Sequence, residues 1–268
     1  MGSVFHLGWN VLAKSARDKI AFLWLALLVP APFGLAAAIA AGGFPPKALA
    51  CVAASSLVHA LYFWALGKSY EDVDLSYVYP FTRGIGAVVA TALGVAFLAE
   101  RPAPLGWAGI ALALGATLFE PLTQKRGRGS VERRGIAMTA LTGVCIGSYL
   151  FIDKVGVDSS RPLVYLGALF VGTPLCLAPV VLRGGRAAAE LRHSRLRFVW
   201  SALFMSEAYG MIVVAMKMSP ISYVVAARAS GIVVSVLAGI LFFGETVSTG
   251  RWRAIAAITL GVVCLSLA

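Results

Sequence analysis

Charge is almost confined to short segments in this chain, and the long runs between them decide what it can fold into. Ten runs are free or nearly free of Asp, Glu, Lys and Arg: 1–13, 20–46, 48–67, 75–99 and 102–119, then 135–152, 162–182, 198–216, 218–244 and 252–268. A helix that crosses a hydrocarbon core of about 30 Å needs about 20 apolar residues. Most of the runs have that length. The first covers only about 20 Å at about 1.5 Å per residue, so it either lacks a turn or starts in the interface. Apolar residues make up 59% of the chain and charged residues 13%, against about 25% charged in soluble domains. Mean hydropathy is +0.85. Lipid must therefore be the solvent, and the predicted fold is an all-α polytopic membrane protein with ten transmembrane helices.

The net charge of +11 would suggest nucleic acid in a soluble protein. Here its placement excludes that partner. The loops after the odd-numbered runs hold sixteen Lys and Arg, those after the even-numbered runs hold five, and Arg83 and Arg228 lie inside runs. An excess of basic residues marks the cytoplasmic side. The expectation is a multi-pass protein of the cytoplasmic (inner) membrane with both termini outside. Cys51, Cys145, Cys176 and Cys264 all fall inside apolar runs without metal-type spacing, and they read as small packing residues.

The chain also repeats itself. "LSYVYPFTR…GVAFLAE" is matched about 145 residues later by "ISYVVAAR…GILFFGE", with Arg83 over Arg228 and Glu100 over Glu245. "WNVLAK" (Trp9 to Lys14) is likewise echoed by "YLFIDK" (Tyr149 to Lys154). Five spans per copy is an odd number, so the copies must enter the bilayer in opposite senses. Such inverted repeats are a transporter architecture with the substrate site near the midplane. The expected organisation is a first repeat over 1–122, a basic linker over 123–134 and a second repeat over 135–268.

Ionisable residues well inside the runs fall in one predicted layer. At helical rise, Arg83 lies roughly 12 Å deep, Arg228 roughly 15 Å, His59 roughly 16 Å and Glu207 roughly 13 Å. A charge at a helix centre costs roughly 2.5–3.5 kcal/mol to insert, so these groups must pair or line a watery cavity. The arginines can serve either a substrate or the locking of helices through Glu207 or backbone carbonyls. Asp153, Lys154, Glu100 and Glu245 read as solvated boundary residues. Asp74 reads as the N-cap of the fourth helix, and Ser219 with Pro220 as N-cap and first residue of the ninth. Pro80, one turn into the fourth helix, frees a carbonyl near Tyr79 and Arg83.

The five-plus-five layout resembles the EamA-type branch of the drug/metabolite transporter superfamily over essentially the whole chain. "HLGWNVLAK", "SYEDVDLSYVYPFTRG", "FLAERPAPLGWAGIALALG" and "FFGETVSTGRWRAIAAITLG" carry the likeness. The resemblance implies a cavity bordered by helices 1, 3, 4, 6, 8 and 9. At matching positions its residues would be Trp9, Asn10, His59, Tyr62, Tyr79, Arg83, Tyr149, Glu207, Tyr209 and Arg228.

Guanidinium groups suit bidentate capture of a carboxylate or phosphate. The expected function is therefore secondary transport of a small anionic or zwitterionic metabolite, amino-acid-like first among them, by alternating access. The alternative is an exporter of cationic amines or drugs that uses Glu207. The sequence lacks the paired catalytic motifs of an intramembrane enzyme. No cofactor or metal is called for beyond coupling to protons or another ion. The expected partners are a small-molecule substrate and the lipid bilayer, with a monomer sufficient and a homodimer compatible.

Overall fold

The computed structural model describes residues 2–101, 103–123, 130–194, 196–219, 221, 224–225 and 231–267. Among them the regular structure is helical: α1 (Gly2–Lys14), α2 (Lys19–Leu28), α3 (Ala31–Ala40), α4 (Pro46–Asp72), α5 (Leu75–Phe97), α6 (Pro104–Thr123), α7 (Ser130–Asp158), α8 (Pro162–Val181), α9 (Arg186–Ser194), α10 (Arg197–Met218), α11 (Gly231–Phe243) and α12 (Thr249–Ser266). Six stretches among the described residues are long and apolar enough to cross a membrane: Lys19–Ala40, Pro46–Asp72, Leu75–Phe97, Arg133–Asp158, Pro162–Val181 and Arg197–Met218. The protein is thus an all-helical, multi-pass membrane protein.

Several predicted boundaries move, each for a local reason. The run 20–46 is two helices broken at Pro30, where the ring removes a backbone N–H. It stops at Ala40, before Gly42 and Gly43, whose φ of 76° and 92° only glycine adopts without strain. The next helix runs past the predicted end at residue 67 to Asp72. The sixth predicted helix, 135–152, extends to Asp158 and carries Asp153 and Lys154 inside it. The basic loop after α8 contains a short turn, Arg183–Gly185, and then α9.

Two compact units divide the chain, with breaks inside α4, inside α7 and after α10. The first unit holds residues 1–68 and 152–219, the second 69–151 and 220–268. In the first, α1 packs on α10, α2 and α3 on α8, α9 on α2, and α10 on α8 and α2. The α3–α8 contact is as close as backbones permit, because Gly34 faces Gly167 with no side chain between them. Trp24 Nε1 donates to the Pro174 carbonyl at 2.9 Å, tying α2 to α8. In the second unit, α5 packs on α11, α6 on α12, and α5 on both α6 and α12.

The start of α5 has an unexpected cap. Asp74 occupies the N-cap position with extended backbone, but its side chain caps nothing; it pairs instead with Arg251 Nη1 at 3.2 Å. The N–H groups of Leu75 and Ser76 donate to the two oxygens of Glu245, each at 2.8 Å. Glu245 is therefore not a merely solvated boundary residue. A helix N-terminus has orphan N–H groups and a positive dipole end, and a carboxylate satisfies both. Ser219 ends α10 as its C-cap, while Pro220 lies outside the described residues.

Candidate functional site

In the second unit, α5 carries Arg83 into the apolar interior. Its residues from Leu75 to Gly84 are all buried, and Arg83 is only 6% exposed. Pro80 sits inside the helix and leaves the Ser76 carbonyl without its usual helical donor. One turn before the arginine, the Tyr79 ring lies 5.0 Å from the guanidinium carbon, within the range of a cation–π contact. Arg83 borders a small cavity with Gly86, Ala87, Ile146, Leu150, Val225 and Val262, with room for about one water molecule. Tyr149 is buried in the same unit.

In the first unit a carboxylate is the centre of a separate cluster. Asp153 is 0% exposed, which overturns its reading as a solvated boundary residue. Ser55 Oγ donates to its Oδ1 at 2.5 Å, the Tyr165 hydroxyl donates to the same oxygen at 2.9 Å, and the Tyr209 hydroxyl donates to Oδ2. Those partners come from α4, α8 and α10, so one carboxylate on α7 ties four helices. His59 extends the cluster: its Nδ1 lies 3.0 Å from Ser55 Oγ and 3.0 Å from the Ser55 carbonyl. Its ring stands edge-on to Tyr209 at 5.5 Å and to Tyr62 at 6.3 Å between centroids. Three hydroxyl donors are what a buried carboxylate requires.

The EamA-like transporter family matches residues 133–267, half of the chain. The chain belongs to the EamA-like transporter family. No curated protein matches it. The crystal structure of another protein is similar, with a TM-score of 0.61 at 17% sequence identity, covering 99% of this chain and 95% of that one. At such identity the likeness concerns the fold.

Within this EamA-like chain, the residues singled out from sequence divide between the two units. His59, Tyr62 and Tyr209 gather in the first unit, beside Asp153. Trp9 and Asn10 are buried there too; within α1, Trp9 Nε1 donates to His6 Nδ1 at 3.2 Å and Asn10 Nδ2 to the His6 carbonyl at 2.6 Å. Trp9 also meets Phe63, ring centroids 6.2 Å apart. Glu207 is exposed on α10, and the carboxylate held inside is Asp153. Arg83, Tyr79 and Tyr149 belong to the second unit, and Arg228 lies outside the described residues.

Sequence reasoning missed Asp153 because it was read together with Lys154 as a helix end. A signal was present. The apolar "VGV" at 155–157 continues the helix beyond both charges, and Lys154 and Asp158 stand at i, i+4, where they pair at 2.9 Å. With Lys154 engaged along the helix, Asp153 is left to a different face.

Proposed function

We propose that this EamA-like protein is a secondary active transporter of a small anionic or zwitterionic metabolite, amino-acid-like in the first instance, working by alternating access. Arg83 carries this reading. A permanent cation is held inside a spanning helix, over a tyrosine ring and beside a water-sized cavity, where ionisable residues mark substrate or ion pathways. A guanidinium at such a place recognises carboxylate or phosphate by paired N–H donors.

The reading includes ten helices in two inverted five-helix repeats, in the inner membrane, with both termini outside. A local likeness supports the repeat. The Glu100 N–H donates to the Gly94 carbonyl and the Glu245 N–H to the Gly239 carbonyl, both at 3.2 Å. The residue before each glutamate has positive φ, 56° at Ala99 and 63° at Gly244.

A thermal-shift screen of the purified chain against amino acids, inorganic phosphate with phosphorylated metabolites, and quaternary amines tests the substrate class. Stabilisation by carboxylate- or phosphate-bearing compounds, lost in Arg83→Gln with the unliganded melting point kept, is the expected result. Stabilisation by the amines alone would refute the anion reading and favour a cation exporter.

A further inference from the structure

From the hydrogen-bond order at Asp153 we infer a proton-binding relay, His59–Ser55–Asp153, that loads and unloads the first unit with one proton. It deepens the transport reading above and rests on it only for what the proton drives.

With Asp153 ionised its oxygens only accept, so the single hydrogen of the serine hydroxyl is donated to Oδ1. Toward His59, Ser55 Oγ can therefore only accept, and so can the Ser55 carbonyl. Both contacts are made by the same imidazole nitrogen, so the hydrogen must sit on Nδ1. The resulting order is Nδ1–H to Oγ–H to carboxylate, each link within 3.0 Å. The order can reverse, with loss of the Nδ1–H bond to the Ser55 carbonyl. When a proton is delivered to Nε2, the Nδ1–H bond breaks as its proton passes to Oγ, and the former Oγ–H proton passes to Oδ1. Charge and atoms balance: one proton is gained, Asp153 becomes neutral, and His59 stays neutral in its other tautomer.

The groups around the relay fit this role. From α4 it faces His59, Tyr62 and Cys51, with Lys47 beyond Cys51, from α8 Tyr165 and from α10 Tyr209. Within α7, Lys154 is directed to Asp158 and the Met216 carbonyl. None of these groups places a cation directly on the Asp153 oxygens. An aspartate kept only for structure would be better served by a lysine or arginine partner, whereas hydroxyl donors leave its charge removable. The end of α7 lies about one and a half turns beyond Asp153. There Asp158, Ser159, Ser160, Arg161 and Lys217 line a recess of about 410 Å³ at the same end of the unit. Hydroxyl–carboxylate bonds weaken when the carboxylate is neutralised, so loading the proton loosens the tie among α4, α7, α8 and α10.

Infrared difference spectroscopy of the full chain in lipid nanodiscs, titrated from about pH 4 to about pH 9, reads the relay directly. A protonated-carboxyl band should titrate in the wild type, vanish in Asp153→Asn, and move its midpoint by about one pH unit or more in His59→Gln. An unchanged band in Asp153→Asn, or an unmoved midpoint in His59→Gln, overturns the relay. If Asp153→Asn does not fold, Tyr209→Phe and His59→Gln keep the carboxylate and must both shift the midpoint; failure of both to do so is equally decisive against it.

A second arm separates this inference from the transport reading. Proteoliposomes are given an imposed pH gradient and a labelled amino-acid mixture. Entry that follows the gradient in the wild type and ceases to follow it in Asp153→Asn supports the relay. Gradient-driven entry equal in both proteins sinks the relay and leaves transport standing. If the band titrates as expected but wild-type vesicles carry no amino acid, the substrate reading fails and the proton site stands.

Discussion

Glu245 shows how much one side chain can fix. Its carboxylate takes both orphan N–H groups at the start of α5, the helix that carries Arg83. It can reach them because residue 239 is glycine: a methyl group there would collide with Glu245 Oε2. Gly239→Ala should therefore displace the cap and lower stability by about 0.5–2 kcal/mol, the usual worth of an N-cap, read as a fall in melting temperature in detergent; an unchanged melting point would mean the cap contributes nothing. The turn before Glu100 offers the opposite experiment. Ala99 holds a φ of 56° where the turn before Glu245 has Gly244, and a side chain in that region costs about 1–2 kcal/mol. Ala99→Gly should raise the melting temperature, with no rise contradicting the assigned strain.

Among elements, α7 and α10 lock each other at their C-terminal ends. Lys154 on α7 donates to the Met216 carbonyl at 2.8 Å. Lys217 on α10 donates to the carbonyls of Val157 and Asp158 at 3.0 and 2.9 Å. A cation at a helix C-terminus also suits the dipole. Lys217→Met should cost about 1–3 kcal/mol in thermal or denaturant unfolding, and a value near zero would make the exchange incidental. The strap α9 is held differently, by Arg186 on Asp18 at 2.6 and 2.9 Å and by Glu190 accepting the Asp18 N–H at 2.9 Å. Burial pushes the Asp18 carboxyl up, but Arg186 and the Ala21 and Ile20 N–H groups outweigh it and hold the carboxyl below its ordinary 3.8. A carboxyl lowered on folding gives stability above its unfolded value that is lost as pH falls through the folded one. Protection of α9 amides from hydrogen exchange should thus hold at neutral pH and fall below about pH 4, a fall absent in Asp18→Asn; pH-independent protection would contradict the strap's electrostatic origin.

For the whole molecule, helices were legible because lipid leaves the backbone no other way to satisfy its hydrogen bonds. Their ends were not, because charges mark an end only when water receives them. Asp153 is received by protein hydroxyls and Lys154 by the Met216 carbonyl instead. The compact units were equally hidden. The first draws one stretch from either side of the basic linker and the second contains the linker itself, whereas a sequence repeat reveals only kinship between halves. Of the candidate site, the apolar helix around Arg83 was readable from one charge in a long run, and the role of Ser55, Tyr165 and Tyr209 as partners of Asp153 was not, since hydroxyls in apolar runs carry no signal alone. The proposed orientation, with both termini outside, rests on the sixteen-to-five charge imbalance. In a cysteine-free background, Lys47→Cys should react with an impermeant thiol reagent from outside intact cells and Arg192→Cys only after permeabilisation; the reverse pattern would invert the topology.

The central claim is that a buried guanidinium in a spanning helix of this family serves an anionic group on a moving substrate. Flux in proteoliposomes tests it most directly, using a labelled amino-acid mixture on wild type, Arg83→Lys and Arg83→Gln matched for melting temperature and insertion. Entry should be reduced in Arg83→Lys, which keeps the charge and loses the fork, and abolished in Arg83→Gln. Wild-type flux through a folded Arg83→Gln protein would contradict the account.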